Sequence, residues 1–229
     1  DVYKRQMKKI ILLIALLYVG ACATSARPKV QIKLMSYNIR FMHAKDSGEH
    51  VWEVRKEASV NMIRREQPDV IGLQEPELPQ VKYLASRLPE YAHVEQDRED
   101  GLRENGQYLM IMWLREKYDL LDSGHFWLSP TPDTVSFGWD GHCRRVTVWV
   151  KLRDRASGRE FHYFNTHLDH RGNQAREKGA ALNVEQMQRI AGRSATVFLS
   201  GDMNSQRGTP TGAFLVPYDA WMKSARETA

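Results

Sequence analysis

Cysteine is nearly absent: Cys22 and Cys143 are the only two in 229 residues. That rules out a disulfide-dense scaffold and a structural zinc site built on paired cysteine and histidine spacing. If Cys22 is lipidated or removed, no intramolecular disulfide is left and the fold rests on its core. Long apolar runs are missing too. The longest, Ile10 to Val19, falls short of the roughly 20 residues that a membrane-crossing helix needs. There is no repeat at a period of about 20 to 50 residues and no low-complexity tract. A strong charge of one sign is also lacking once the N-terminal stretch is set aside. Residues 1–21 carry four of the 33 basic groups and one of the 28 acidic groups, so the remainder has a net charge of +2 rather than +5. The pI of 9.2 is partly a property of that stretch, and charge gives little support to nucleic-acid binding.

What remains, with 42% apolar and 27% charged residues, is the composition of a soluble globular domain behind a non-globular leader. Roughly 200 residues are enough for one domain with a substantial core. Residues 1–6 precede the first methionine, Met7, and read as an upstream or non-native extension. Residues 7–23 read as a secretory or lipoprotein signal: Lys8 and Lys9, a short apolar run, then Gly20, Ala21, Cys22 and Ala23. Val19 to Cys22 resembles a lipobox, with Cys22 as a lipidated N-terminus and membrane attachment through it. Ordinary cleavage after Ala23 or Ala26 is the alternative. Either way the expected location is extracytoplasmic in a bacterium, as a periplasmic or outer-membrane lipoprotein or a secreted protein. Residues 24–29 make a tether, and 30–229 the folded domain.

Val30 to Tyr37 alternates and predicts a first strand ending at Asn38. A helix is expected from Trp52 to Gln67, with Ser59, Met62 and Ile63 inward and Pro68 as its stop. Val70 to Leu73 is almost wholly apolar, as in a strand covered on both faces. Leu78 to Leu88 predicts a second helix, closed by Pro89. Residues 97–106 read as a charged loop, in which Arg98 to Glu104 is mainly solvated. Tyr108 to Leu114 and Leu120 to Leu128 predict strands. Ser129 to Gly141 is a loop whose Phe137 and Trp139, with Phe126 and Trp127 before it, form either a substrate wall or packing against a sheet. Val146 to Leu152 and Glu160 to Asn165 predict an antiparallel hairpin. A helix over 174–191, with Ala181, Val184, Met187 and Ile190 at the helical period, then leads to a strand from Ala195 to Ser200. Mixed strands with helices outside them imply an α/β protein of two packed sheets.

Four strand ends carry polar groups: Asn38; Glu75; His167 with Asp169; and Asp202 with Asn204. Ligands of α/β sheets bind at the carboxyl ends of strands. Carboxylates suit a hard divalent cation, and histidine and amides beside it suit a phosphoryl group or a water.

The segments Ser36–Arg40, Pro68–Glu75, Asn165–His170 and Gly201–Asn204 together resemble the ordered signature of the endonuclease/exonuclease/phosphatase superfamily. Its flavour is closest to the secreted bacterial group, and the likeness covers residues 31 to 222. The resemblance implies a DNase I-like four-layer α/β/β/α sandwich and metal-dependent hydrolysis of a phosphate ester by direct attack of water. It implies Mg2+ as cofactor, with Mn2+ or Ca2+ as alternatives, a monomer, and a small-molecule, lipid-headgroup or nucleic-acid substrate. Position by position, it makes Glu75 the principal metal ligand, with Asn38 and Gln107 beside it. It makes His167 a phosphate contact, Asp202 and Asn204 the pair that orients water and phosphate, and Arg145 a phosphate-facing residue. Asp169 either joins the catalytic set or buttresses a loop or His170; His170 is either a supporting or a surface residue, and Arg144 a structural one.

Two departures from the family pattern follow. Gln107 stands where relatives usually have glutamate, which removes a negative charge near the metal. The family's later strands, with an aspartate and a Ser-Asp-His motif, have no counterpart before Ala229, so the expectation is a truncated domain that is poorly folded or inactive as it stands. Nuclease activity and a non-catalytic ligand-binding protein are the alternatives to a general phosphoesterase.

Overall fold

The computed structural model describes residues 30–101 and 106–225. The expected signal, Cys22 and the tether lie outside them. From Ile32 onward the chain clusters as one unit. Among the described residues eight strands form two four-stranded sheets. The first contains β1 (Leu34–Asn38), β2 (Val70–Glu77), β3 (Tyr91–Asp97) and β4 (Gln107–Leu114), in the order β1-β2-β4-β3. The second contains β5 (Tyr118–Trp127), β6 (Val146–Asp154), β7 (Glu160–His167) and β8 (Val197–Asp202), in sequence order. β1 with β2 and β7 with β8 are parallel, and the other pairs antiparallel. Helices α1 (Trp52–Glu66) and α2 (Leu78–Arg87) belong to the first sheet and α3 (Asn173–Ala191) to the second, with a short α4 (Val216–Asp219) beyond it. This is the four-layer DNase I-like sandwich. No described helix is long and apolar enough to cross a membrane.

The layers follow from the two-residue period of the strands. In β2, Ile71 and Leu73 join Val60, Ile63, Val81 and Leu84 under the helices. Val70 points the other way and meets Ile111, Val148, Val150, Leu152 and Tyr163 between the sheets. In β7, Phe164 packs with Ala180 and Met187 of α3, whereas Phe161 and Tyr163 face inward. Gly72 is required where the sheets come closest: a Cβ there would lie 2.2 Å from Ser200 Oγ and 2.8 Å from Asn165 Oδ1.

Four of the differences from the sequence expectation are informative. β1 starts at Leu34 rather than Val30. β2 continues through Glu75 to Glu77, so Glu75 lies within a strand and not beyond one. β3 was not expected: it is an edge strand, only half-buried along most of its length, and YAHVEQD shows no clean alternation. The buried stripe of α3 runs through Ala180, Asn183 and Met187 rather than Ala181 and Val184. Asn183 is buried because its Nδ2 donates to Thr166 Oγ1 and Tyr218 OH, both at 3.0 Å, so a polar residue occupies a core position that apolar periodicity cannot mark.

Candidate metal centre

The C-terminal ends of β1, β7 and β8 and the distal part of β2 meet at one rim of the sandwich. His167 and Asp202 are paired residues at the ends of β7 and β8. Glu75 reaches them through an irregularity: β2 and β4 lose register between Gln74 and Glu77, and Glu75 has a φ of 69°. A left-handed non-glycine residue costs roughly 1–3 kcal/mol. Asn204 (φ 45°) and Arg40 (φ 61°) share that conformation. One ligand atom from each of Glu75, His167 and Asp202 lies within 4.8 Å of the others. Two carboxylates and an imidazole this close suit a divalent cation, and the donor set fits.

The surrounding bonds hold these groups in place. Asn38 Nδ2 donates to Asp202 Oδ2 at 2.9 Å, and Asn204 N–H to Asp202 Oδ1 at 3.0 Å. Asn38 Oδ1 accepts from Arg40 N–H at 2.9 Å. Asn38, expected beside the metal, thus hydrogen-bonds the Asp202 carboxylate. Gln107 lies in the wall beside Glu75. His167 and Asp202 join Glu75 in a close trio because the sheets bring the ends of β7 and β8 against β2. Asn204 Nδ2 donates to Leu168 O at 3.0 Å, tying the turn after β8 to the one after β7.

His167 is buried. Desolvation, then repulsion from Arg145, Arg98 and His170, holds its pKa well below the usual imidazole range. It is neutral near pH 7, so its 3.7 Å approach to Asp202 is not an ion pair. Asp169 accepts four backbone N–H groups: His142 (3.0 Å) and Cys143 (3.1 Å) on Oδ2, Arg171 (2.9 Å) and Gly172 (2.7 Å) on Oδ1. These bonds overcome the upward push of burial and keep its pKa below the ordinary aspartate value. The carboxylate therefore clamps the loop before β6 to the loop before α3. Arg145 lies 3.7 Å from Asp169 and donates from Nη2 to His170 Nδ1 at 3.1 Å.

Beside the trio is a cleft of about 430 Å³ walled by Phe41, Arg98, Gln107, His142, Arg145 and His170 among others. Arg98 contradicts the expectation of a solvated run. Its N–H donates to Gln107 O (3.1 Å) and its carbonyl accepts from Trp127 Nε1 (3.0 Å). Glu99 is 2% exposed and takes an ion pair from Arg144 at 2.5 Å. Of the aromatic residues left open between a substrate wall and packing, Phe126 and Trp127 are core residues and Phe137 is exposed beneath the Arg144 guanidinium.

The sequence profile of the Endonuclease/Exonuclease/phosphatase family matches residues 35–224. This chain belongs to that family. The structure of a mannosyl-6-phosphatase from Bacteroides thetaiotaomicron is 32% identical, with a TM-score of 0.76 over 81% of this chain and 70% of the other. A family protein from Bacteroides vulgatus is also 32% identical, with a TM-score of 0.76 over 82% and 71%. Among curated proteins, the uncharacterised protein L388 of Acanthamoeba polyphaga mimivirus is 26% identical over 182 residues, 76% of this chain and 67% of that one. With the cluster of Glu75, His167 and Asp202, membership of the Endonuclease/Exonuclease/phosphatase family supports a metal-dependent phosphoesterase-type activity. Arg98, with Phe41 and His142, lines the cleft without having been singled out from the sequence. Its only sequence signal was a position shortly before the strand that starts at Gln107, and mixed charge around it masked that.

Proposed function

We propose that this protein is a Mg2+-dependent phosphomonoesterase acting on small phosphorylated molecules such as sugar phosphates. The observation that carries the reading is the close approach of Glu75, His167 and Asp202 beside a cleft walled by arginine and histidine. The likeness to a mannosyl-6-phosphatase supports a small substrate.

Mg2+ takes oxygen ligands, which assigns it to the carboxylates of Glu75 and Asp202. When bound, the cation would offset negative charge gathering on the phosphoryl oxygens. The neutral ring of His167 then donates a hydrogen bond to a phosphoryl oxygen from a buried, fixed position, where such a bond is strongest. Asp202, its oxygens oriented by Asn38 and Asn204, aligns the attacking water. Arg145 faces the phosphate, and Asp169 positions Arg145 and the loops around it. Gln107 supplies an amide rather than a charge to the cleft wall.

The test is release of inorganic phosphate from mannose 6-phosphate with and without Mg2+, run beside release of acid-soluble nucleotides from DNA. Metal-dependent phosphate release supports the proposal. Nucleotide release alone would make the protein a nuclease, and binding without any release would make it a non-catalytic member. We further propose an extracytoplasmic, lipid-anchored location through Cys22, for which mass spectrometry of the mature N-terminus should find a diacylglyceryl cysteine; an unmodified N-terminus downstream of Cys22 overturns it.

A further inference from the structure

Two arginines stand at the cleft without their full complement of acceptors. Arg145 is 6% exposed, and its buried Nε has no hydrogen-bond partner, Asp169 Oδ2 standing 3.7 Å away. The Nε of Arg98 is likewise buried and without one, at 3.6 Å from Glu99 Oε1, too far for a hydrogen bond. Both side chains line the same wall as Glu75, Gln107 and His167. Like charges collected in a buried wall repel each other, and the charge of Arg98 bears on both Arg145 and His167. Glu99 and Asp169 offset part of this at 3.6 and 3.7 Å without hydrogen-bonding either Nε, and an anion held between the guanidinium groups would satisfy what they leave unpaired. A cationic fork is also what planar recognition of phosphate requires.

We propose that Arg98 and Arg145 form a two-arginine clamp for the dianionic phosphate of a phosphomonoester, with Glu99 as the residue that positions Arg98. The identity of the anion as a substrate phosphate rests on the phosphoesterase reading; the clamp itself does not. Arg98 is held from three sides. Its backbone is pinned to Gln107 and Trp127. Buried Glu99 stands beside its guanidinium and ties the same loop to Arg144 before β6. A phosphodiester has one negative charge fewer and an extra ester substituent where the second guanidinium would bind, so the clamp selects monoesters.

The experiment is calorimetric titration of the metal-free full chain with methyl phosphate, above its second ionisation, and with dimethyl phosphate as the diester probe. Wild type should bind methyl phosphate at least about 10-fold more tightly than dimethyl phosphate. Arg98→Gln should weaken methyl phosphate about 10-fold or more, the scale of one lost hydrogen bond to a charged group. Arg98→Lys should retain part of the affinity, and Glu99→Gln should give an intermediate loss. Arg153→Gln, which alters an exposed pair with Asp119, should change nothing. Circular dichroism confirms that each variant folds. If Arg98→Gln does not, the affinities of Arg98→Lys and Glu99→Gln decide, and wild-type affinity in both overturns the clamp. Equal binding of the two probes by wild type also overturns it. Because no metal or turnover is involved, loss of the catalytic reading leaves this result readable, and the reverse holds too.

Discussion

The space between the sheets has two ends of opposite character. At one end Val150, Leu152, Tyr118 and Phe161 pack together, the rings of Tyr118 and Phe161 meeting edge-on at 5.5 Å. At the other, the same sheets bury a polar seam. Asn165 Nδ2 donates to Leu73 O (2.8 Å) and Met110 O (3.1 Å), its Oδ1 accepts from Gln74 Nε2 (2.7 Å), and Tyr163 OH donates to Ser200 Oγ (2.7 Å). Beyond the seam stand Glu75, His167 and Asp202. The apolar end supplies stability through burial. The polar end gives some of it up for orientation, since its groups gain little net free energy but lose much when a partner goes.

The sharpest way to separate the two ends is Glu75→Gln. Turnover should fall by about 10²–10³-fold or more while the melting temperature holds; comparable losses in both would erase the distinction. Phe161→Ala addresses the opposite end and should destabilise by about 3–5 kcal/mol in urea unfolding, with kcat of the folded fraction unchanged. Between the two lies Asn165→Ala. It strands buried carbonyls and the Gln74 amide, and should cost about 1–3 kcal/mol; a smaller cost would show that the seam is solvated.

Acid should act on buried histidines at both ends, on His162 beside Phe161 as well as on His167. Burial lowers the pKa of His167, and to lesser burial that of His170, so the unfolded chain binds more protons below about pH 6.5. Stability at these sites is full at higher pH and is lost as pH falls from about 6.5 through the depressed folded values. Asp169, also lowered, adds a second loss only below about pH 4. Melting temperatures of wild type and His167→Asn across this range should diverge, the variant showing the flatter profile; parallel profiles would remove His167 from the account. The smallest effect is expected for Gln107→Glu, which returns a carboxylate to the wall beside Glu75 and should tighten Mg2+ binding several-fold in a metal titration. Equal affinity would show that the wall is too far from the cation to matter.

Much of this was legible from local chemistry. Pro68 and Pro89 follow the ends of α1 and α2, the expected hairpin became β6 and β7, and the polar residues closing β1, β7 and β8 lie at the common rim. The sequence by itself determined the parallel β7-α3-β8 unit and the residue types at its two strand ends, because helical period, strand period and stop signals act over a few residues. Tertiary structure alone decided which of those residues meet. The bulge that turns Glu75 toward His167 and Asp202 depends on β2 losing register with β4, and Asn38 became a support because β1 ends against β8. Arg98 joined the cleft because its backbone is pinned to Gln107 and Trp127. Each of these outcomes is set by contacts between residues far apart in the chain, which no local pattern encodes.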